Sequence, residues 1–451
     1  PAIRQRRAGV LLHPTSLPSG LIDADVERWL DMLADTGFSA WQVLPLGEPQ
    51  VGFSPYQCTS AFAFNPLLLL EYPPVDTADN GFAGFCKVQQ YWLDDYVLFK
   101  VLKRHFGDKG WNQWPEPWRS REPQSLQQTC EQYADDIEHL KWQQYQLHKR
   151  WQEIRLQAAD REILLFGDMP IYIAFDSADV WAHPDCFILD KDGNMKVVTG
   201  VPPDYFSETG QRWGNPHYDW DEMRKDGFAW WKSRIHHHLE LFDLIRIDHF
   251  RGLEAAWVID AACETAVEGH WLKMPGDELM SAIKAGLGEH GDQLPFVAED
   301  LGIITPEVTA LRVKYNLPGM SVLQFGFDEF DDNPHKPQNI TENTVVYTGT
   351  HHNDTTKGWF NSLDDDVKKY VLRTLDISDS DDQVMVGQEA DLVVDKLIEN
   401  AMSSPAHLCI IPLQDYLHLG TDTRMNTPGT TDGNWTWRFR WQQIEQQHNA
   451  R

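Results

Sequence analysis

The chain has 451 residues, enough for one large barrel or for two to three domains, and its 42% hydrophobic and 24% charged content exclude a disordered chain. Its 39 basic against 68 acidic residues give a formal net charge of -29, which repels phosphate backbones and anionic lipid surfaces and argues against nucleic acid or a membrane as partner. The six cysteines are scattered, no apolar run nears the roughly 20 residues of a bilayer span, and no secretory leader pattern opens the chain, so a soluble, cytoplasmic protein is expected.

From the N-terminus, Gly9 to Pro14 reads as a buried strand, and a Pro/Ser/Gly loop follows to Gly20. Val26, Trp29, Leu30 and Leu33 recur at helical spacing, with Gly37 placed to stop that helix. Trp41 to Leu46 is the second strand. Apolar runs instead of alternation, on both sides of a helix, predict a parallel sheet covered on both faces.

Beyond Gly47 comes a loop with Ser54-Pro55-Tyr56-Gln57, after which Trp92, Tyr96 and Phe99, and then Ile137, Leu140, Leu147, Trp151 and Ile154, predict mostly helix over Val88 to Ala158. Residues 48–158 are thus expected as a mostly helical insertion on the rim. Ile163 to Ile173 is the third strand, carrying Asp168. The stretch 180–231 lacks a long period and is rich in Asp, Gly, Pro and aromatics, as a loop-rich, substrate-binding insertion would be.

Leu244 to Asp248, Pro295 to Asp300, Gly319 to Phe327, Thr344 to Thr350 and Ala406 to Asp415 complete eight strands, most separated by helix-length segments. That count predicts an α/β chain forming a single (β/α)8 TIM-barrel domain over 1–451, with the inserted subdomains around its C-terminal rim. A doubly wound open sheet would need a Gly-rich phosphate loop after the first strand, and His13-Pro14-Thr15 is not one.

Such barrels carry chemistry at the C-terminal ends of their strands, where Asp168, Asp248, Glu299 and His351 fall. Arg246 and Asp248 alone would read as a salt-bridged strand cap. The same passage from apolar run to acid or imidazole recurs, however, in Phe296 to Gly302 and in Thr344 to Thr355. Two carboxylates at neighbouring strand ends suit glycosidic cleavage, one protonating the leaving oxygen while the other attacks or stabilises the oxocarbenium-like carbon. A divalent ion held by Asp168, Asp248, Glu299 and His351 is the rival reading. With 19 Trp, 13 Tyr and 21 Phe the chain has aromatics to spare. Tyr205, Phe206 and Trp213 stand among Gly, Asn and Asp in a mixture suited to sugar rings, or to packing of that loop.

Leu11 to Pro18, Trp41 to Gly47, Ser54 to Gln57, Gly167 to Pro170, Gly200 to Pro216, Arg246 to Gly252, Ala298 to Gly302 and Arg424 to Gly429 together resemble the 4-α-glucanotransferases, the amylomaltases or disproportionating enzymes, over about Gly9 to Phe439. The resemblance implies a transferase moving α-1,4-glucan segments of starch or glycogen type by a retaining double displacement, with no cofactor and no metal. Maltooligosaccharides or longer glucans would be donors, and glucose or maltooligosaccharides acceptors. Asp248 would be the nucleophile and Glu299 the acid and base. Tyr56, Asp168, Arg246, His351, Trp213 and Asn426, with Tyr205, Phe206 and Glu208 from the loop Pro203 to Gly210, would hold the sugars.

Two departures from the family pattern stand out. The glycine-rich stretch after the first strand is shortened to Ser19-Gly20-Leu21-Ile22-Asp23-Ala24-Asp25. In Thr350 to Thr355, His352 occupies the place of the family's third catalytic aspartate, and Asp354 matches a different aspartate of the family and is no substitute. A transferase of reduced activity is therefore expected, the alternatives being a glucan-binding protein with impaired chemistry and an α-1,4-glucan hydrolase.

Overall fold

The computed structural model describes residues 3, 5–50, 54–204, 207–288, 293–377 and 388–450. Its strands are β1 (Arg7–Leu11), β2 (Ala40–Gln42), β3 (Leu164–Pro170), β4 (Val197–Val201), β5 (Gln211–Pro216), β6 (Leu244–Asp248), β7 (Ala255–Asp260), β8 (Gly269–Lys273), β9 (Phe296–Ala298), β10 (Gly319–Val322), β11 (Thr344–Tyr347) and β12 (Leu408–Pro412).

Eight of them form one all-parallel sheet in the order β10-β11-β12-β1-β2-β3-β6-β9. At its ends the Ala298 N–H donates to the Pro318 carbonyl at 2.9 Å, so β9 meets the start of β10 and the sheet nearly closes into the expected (β/α)8 barrel. All eight predicted strands are present. Several stop earlier than the apolar runs that announced them: after Val322 the run continues through a 3-10 turn, Leu323–Phe325, instead of extended chain.

Strand alternation explains where the polar groups stand. Leu164 and Phe166 on β3, Leu244 on β6, Val297 on β9, and Val345 and Tyr347 on β11 fill the barrel interior. Their neighbours Leu165, Ile245, Ile247, Phe296 and Val346 pack outward with the helices. A period of two therefore carries Asp168, Arg246 and Glu299 to the inner side, one step above the apolar fill. The lumen is narrow where Gly9 pairs with Ala40: a Cβ on Gly9 would sit 2.5 Å from the Ala40 carbonyl oxygen. Gly9→Ala should consequently cost about 1 to 3 kcal/mol of stability through overpacking, read as a lowered thermal midpoint.

Outside the barrel, the long helices Asn80–His105 and Ala134–Asp160 pack on each other, and Arg150 of the second donates to the carbonyls of Ile22 and Asp23 at 2.7 and 2.9 Å. The shortened loop closes on itself. Ser19 Oγ donates to Asp23 Oδ1 at 3.0 Å, Asp23 caps the helix Ala24–Asp35, and the Trp441 indole donates to Asp25 at 2.9 Å. Gly37 follows that helix at φ +80, as its position predicts.

The stretch 180–231 is more regular than its composition indicates. It holds β4 and β5, which join β7 and β8 in an antiparallel sheet of order β5-β4-β7-β8. Among the described residues no helix is long and apolar enough to cross a membrane.

Candidate active site

Because the barrel strands run one way, their C-terminal ends share one face, and Asp168, Arg246, Asp248, Glu299 and His351 stand there. Asp168 lies directly beside Arg246 in the β3–β6 ladder. Both are nearly solvent-free, at 1% and 3% exposure, so neither charge could stand there alone. Arg246 Nη1 donates to Asp168 Oδ1 at 3.0 Å and Oδ2 at 2.8 Å, while its Nη2 lies 2.9 Å from Asp248 Oδ1. One guanidinium thereby holds two carboxylates and neutralises part of their charge.

Tyr56 joins this group by donating its hydroxyl to Asp168 Oδ2 at 2.8 Å. Its oxygen is also 2.6 Å from His351 Nε2. With its one proton directed at Asp168, Tyr56 can only accept from His351, which places the imidazole proton on Nε2. The His351 ring stacks on Tyr56 at 5.4 Å and 14°. Burial first, then the neighbouring His352 and Arg246, keep His351 neutral far below the usual histidine range. Burial drives the Asp168 carboxyl up to about 6, with Arg246 opposing the rise and Asp248 adding to it.

Glu299 follows β9 immediately. Its Oε2 accepts the His249 backbone N–H at 2.7 Å and its Oε1 the Leu301 N–H at 2.8 Å. Burial nevertheless lifts its carboxyl to about 7; Arg246 and the two N–H groups pull the other way, and Asp248 reinforces the rise. A partly buried acid that holds its proton near neutrality thus stands beside a carboxylate gripped by arginine. That is the division of labour an acid and a nucleophile require.

His352 lies at the opening of the same group. Its ring centroid is 4.1 Å from that of His351 and 5.7 Å from that of Tyr56. Asn426 Nδ2 donates to its Nδ1 at 2.8 Å, and Arg424 Nη2 donates to its carbonyl at 2.9 Å. An amide NH2 facing Nδ1 suits only the neutral ring protonated on Nε2. The surrounding protein, which displaces hydration, lowers its pKa to about 4, with Arg246 and Arg424 acting in the same sense and Asp248 against them. Asp354 accepts from Thr421 at 2.9 Å.

Trp213, on β5, reaches the group through His249, whose ring it meets edge to face at 4.7 Å. Glu208 is exposed on the connection from β4 to β5. Tyr205 and Phe206 lie outside the described residues. Open clefts, one running from His351 past His13 and Arg424 and one beyond Tyr56 and Asp168, flank the cluster. Among the described residues no group of three or more His, Cys, Asp or Glu is arranged to hold a metal ion.

One aromatic was not foreseen. Trp435, at φ +63, packs on the barrel interior and lies 6.2 Å from Tyr56 and 6.1 Å from His351. It sits in a polar, glycine-bearing segment with no periodicity to announce it.

Comparison with known proteins gives a consistent picture. The family 77 glycoside hydrolase model, described as 4-alpha-glucanotransferase, matches residues 12–73 and 70–443. The 4-alpha-glucanotransferase of Thermus thermophilus is 43% identical over 99% of this chain and 97% of its own length. That of Synechocystis sp. is 42% identical over 96% of this chain and 94% of its own. Among solved structures, an amylomaltase from Streptococcus agalactiae in complex with acarbose superposes with a TM-score of 0.90 at 32% identity, covering 99% of this chain and 97% of that one.

Proposed function

Since the chain belongs to the 4-alpha-glucanotransferase family, we propose that Asp248 and Glu299 carry its transfer of α-1,4-glucan segments by two successive displacements. Asp248 attacks the anomeric carbon of the donor while Glu299 gives its proton to the departing glycosidic oxygen, leaving a glucosyl ester on Asp248. Glu299, now ionised, takes the proton of an incoming sugar hydroxyl, whose oxygen displaces Asp248 and restores both groups. The observation that carries this reading is the pairing of an Arg-held Asp248 with a Glu299 whose proton affinity is raised to about 7. Maltooligosaccharides or longer α-1,4-glucans are the donors, and glucose or maltooligosaccharides the acceptors. Arg246 and His351 hold the sugar at the cleavage point, and Tyr56, Asp168, Glu208, Trp213 and Asn426 contact the glucan or the acceptor. The unpaired cysteines fit a reducing compartment, and we place the enzyme in the cytoplasm.

Maltotriose is the test. Redistribution into glucose and longer maltooligosaccharides supports transfer; glucose and maltose alone would make the protein a hydrolase, and unchanged substrate that still binds would make it a glucan-binding protein.

His352 lowers the expected rate. A carboxylate there would favour the positive charge that develops on the sugar ring, and one preorganised contact of this kind is worth on the order of 10²- to 10³-fold. Neutral imidazole supplies only a weak dipole. His352→Asp, whose carboxylate could accept from Asn426 as the ring now does, should raise kcat at least about tenfold with little change in KM, because the contact belongs to the transition state. Equal or lower turnover in a folded variant would count against this placement. With a pKa lowered to about 4, His352 stays neutral above about pH 5, so its protonation should depress activity only in more acidic buffer.

A further inference from the structure

After Asp248 the chain turns out of β6 through a residue that is not glycine in a conformation that favours glycine: His249 has φ +54 and ψ +47. A bulky side chain persists there only when its surroundings fix it. The ring is braced on three sides. Trp213 meets it at 4.7 Å and 88°, Tyr172 at 6.2 Å, and Gly252 lies so close that a Cβ there would come within 3.0 Å of His249 Cδ2. The Gly252 N–H donates back to the His249 carbonyl at 2.9 Å, closing the turn. With the backbone so held, the His249 N–H points at Glu299 Oε2 across 2.7 Å.

We propose that His249 is a positioning residue for the acid–base group: its braced ring holds the left-handed turn that aims its backbone N–H at Glu299. This rests on the role assigned above to Glu299. The residue acts through its main chain, and its imidazole takes no part in proton transfer. Burial, reinforced by Arg251 and opposed by Asp248, lowers the ring to about 4, so it adds no positive charge beside Glu299 near neutrality.

The N–H stabilises the ionised form of Glu299, the form that must accept a proton from the acceptor hydroxyl. The other groups that act on Glu299 are Arg246 and Asp248 of β6 and the Leu301 N–H, and those around the His249 ring are Asp248, Arg251 and Tyr172. None of them belongs to the side chain of residue 249, so a change there removes no charge or donor facing Glu299 directly.

The experiment reads the carboxyl directly. The Glu299 band is identified by isotope-edited infrared difference against Glu299→Gln and titrated in the ligand-free protein, so the result does not depend on turnover. In His249→Ala, where alanine disfavours the left-handed region and the brace is lost, the midpoint should rise by about one pH unit. In His249→Gly, which adopts that region freely, it should move by less than half as much. His249→Asn, also tolerant of the left-handed region, provides the same comparison if glycine loosens the loop. An unmoved midpoint in His249→Ala, or glycine and asparagine displaced as far as alanine, would overturn the proposal. Failure of maltotriose redistribution by the unaltered protein would bear on the proposed function instead, with this titration still readable.

Discussion

Asp248→Ala should lower turnover of maltotriose by roughly 10⁴- to 10⁶-fold, the scale on which removing a nucleophile from an otherwise intact site acts. Two features keep the rest of the site standing. Arg246 retains both contacts to Asp168, at 3.0 and 2.8 Å, so its buried charge is not stranded, and Asp248 is the more exposed of its two partners. Binding should therefore survive the loss of chemistry, with maltooligosaccharide affinity by calorimetry within a few-fold of the unaltered protein. Turnover reduced by less than tenfold in a correctly folded sample would remove Asp248 from the covalent step.

Glu299→Gln should cost on the order of 10²- to 10⁴-fold with maltotriose, whose leaving oxygen needs a proton, and far less with α-glucosyl fluoride, whose fluoride does not. Part of the loss is geometric: Glu299 accepts from both His249 and Leu301, and a glutamine, with one carbonyl oxygen, must turn its NH2 toward one of those N–H groups. The fluoride substrate separates the two effects, since misplacement harms both donors while the missing proton harms only one. In the unaltered protein the acid must be protonated for the first displacement. With Glu299 lifted to about 7, kcat/KM should fall as pH rises through that value. Equal losses on both substrates would sink the acid assignment.

How much of this was readable beforehand follows from what each element does. β6 was predicted with the bounds it has, Leu244–Asp248, because an apolar run breaking into charge is what a strand buried on both faces shows at its functional end. Period-two alternation then suffices to bring Asp168 and Arg246 together at neighbouring positions. The outer sheet left no such trace. β4 and β5 carry Gly200, Gly214 and Pro216, and β8 is exposed at every residue, so none alternates cleanly. Contacts that join distant segments are equally silent: nothing in Arg424 to Gly429 reveals that Asn426 meets His352, and nothing near Trp435 reveals that it covers the barrel beside Tyr56. His249 was visible as a residue of the strand-end motif, but the left-handed turn that gives it a task was not.

The ladder between β6 and β9 pairs Ile247 with Ala298, and the next residue on each strand is Asp248 and Glu299. Two successive displacements at one anomeric carbon, as proposed above for this pair, invert it twice and so preserve its configuration. Every α-1,4 bond broken is then replaced by an α-1,4 bond, and the heat of reaction is close to zero. What drives such a system forward is the number of ways glucose units can be shared among chains. Maltotriose, or a mixture of short and long glucans with the same count of units and ends, should arrive at one final spread of lengths, and a calorimeter should register almost nothing while it forms.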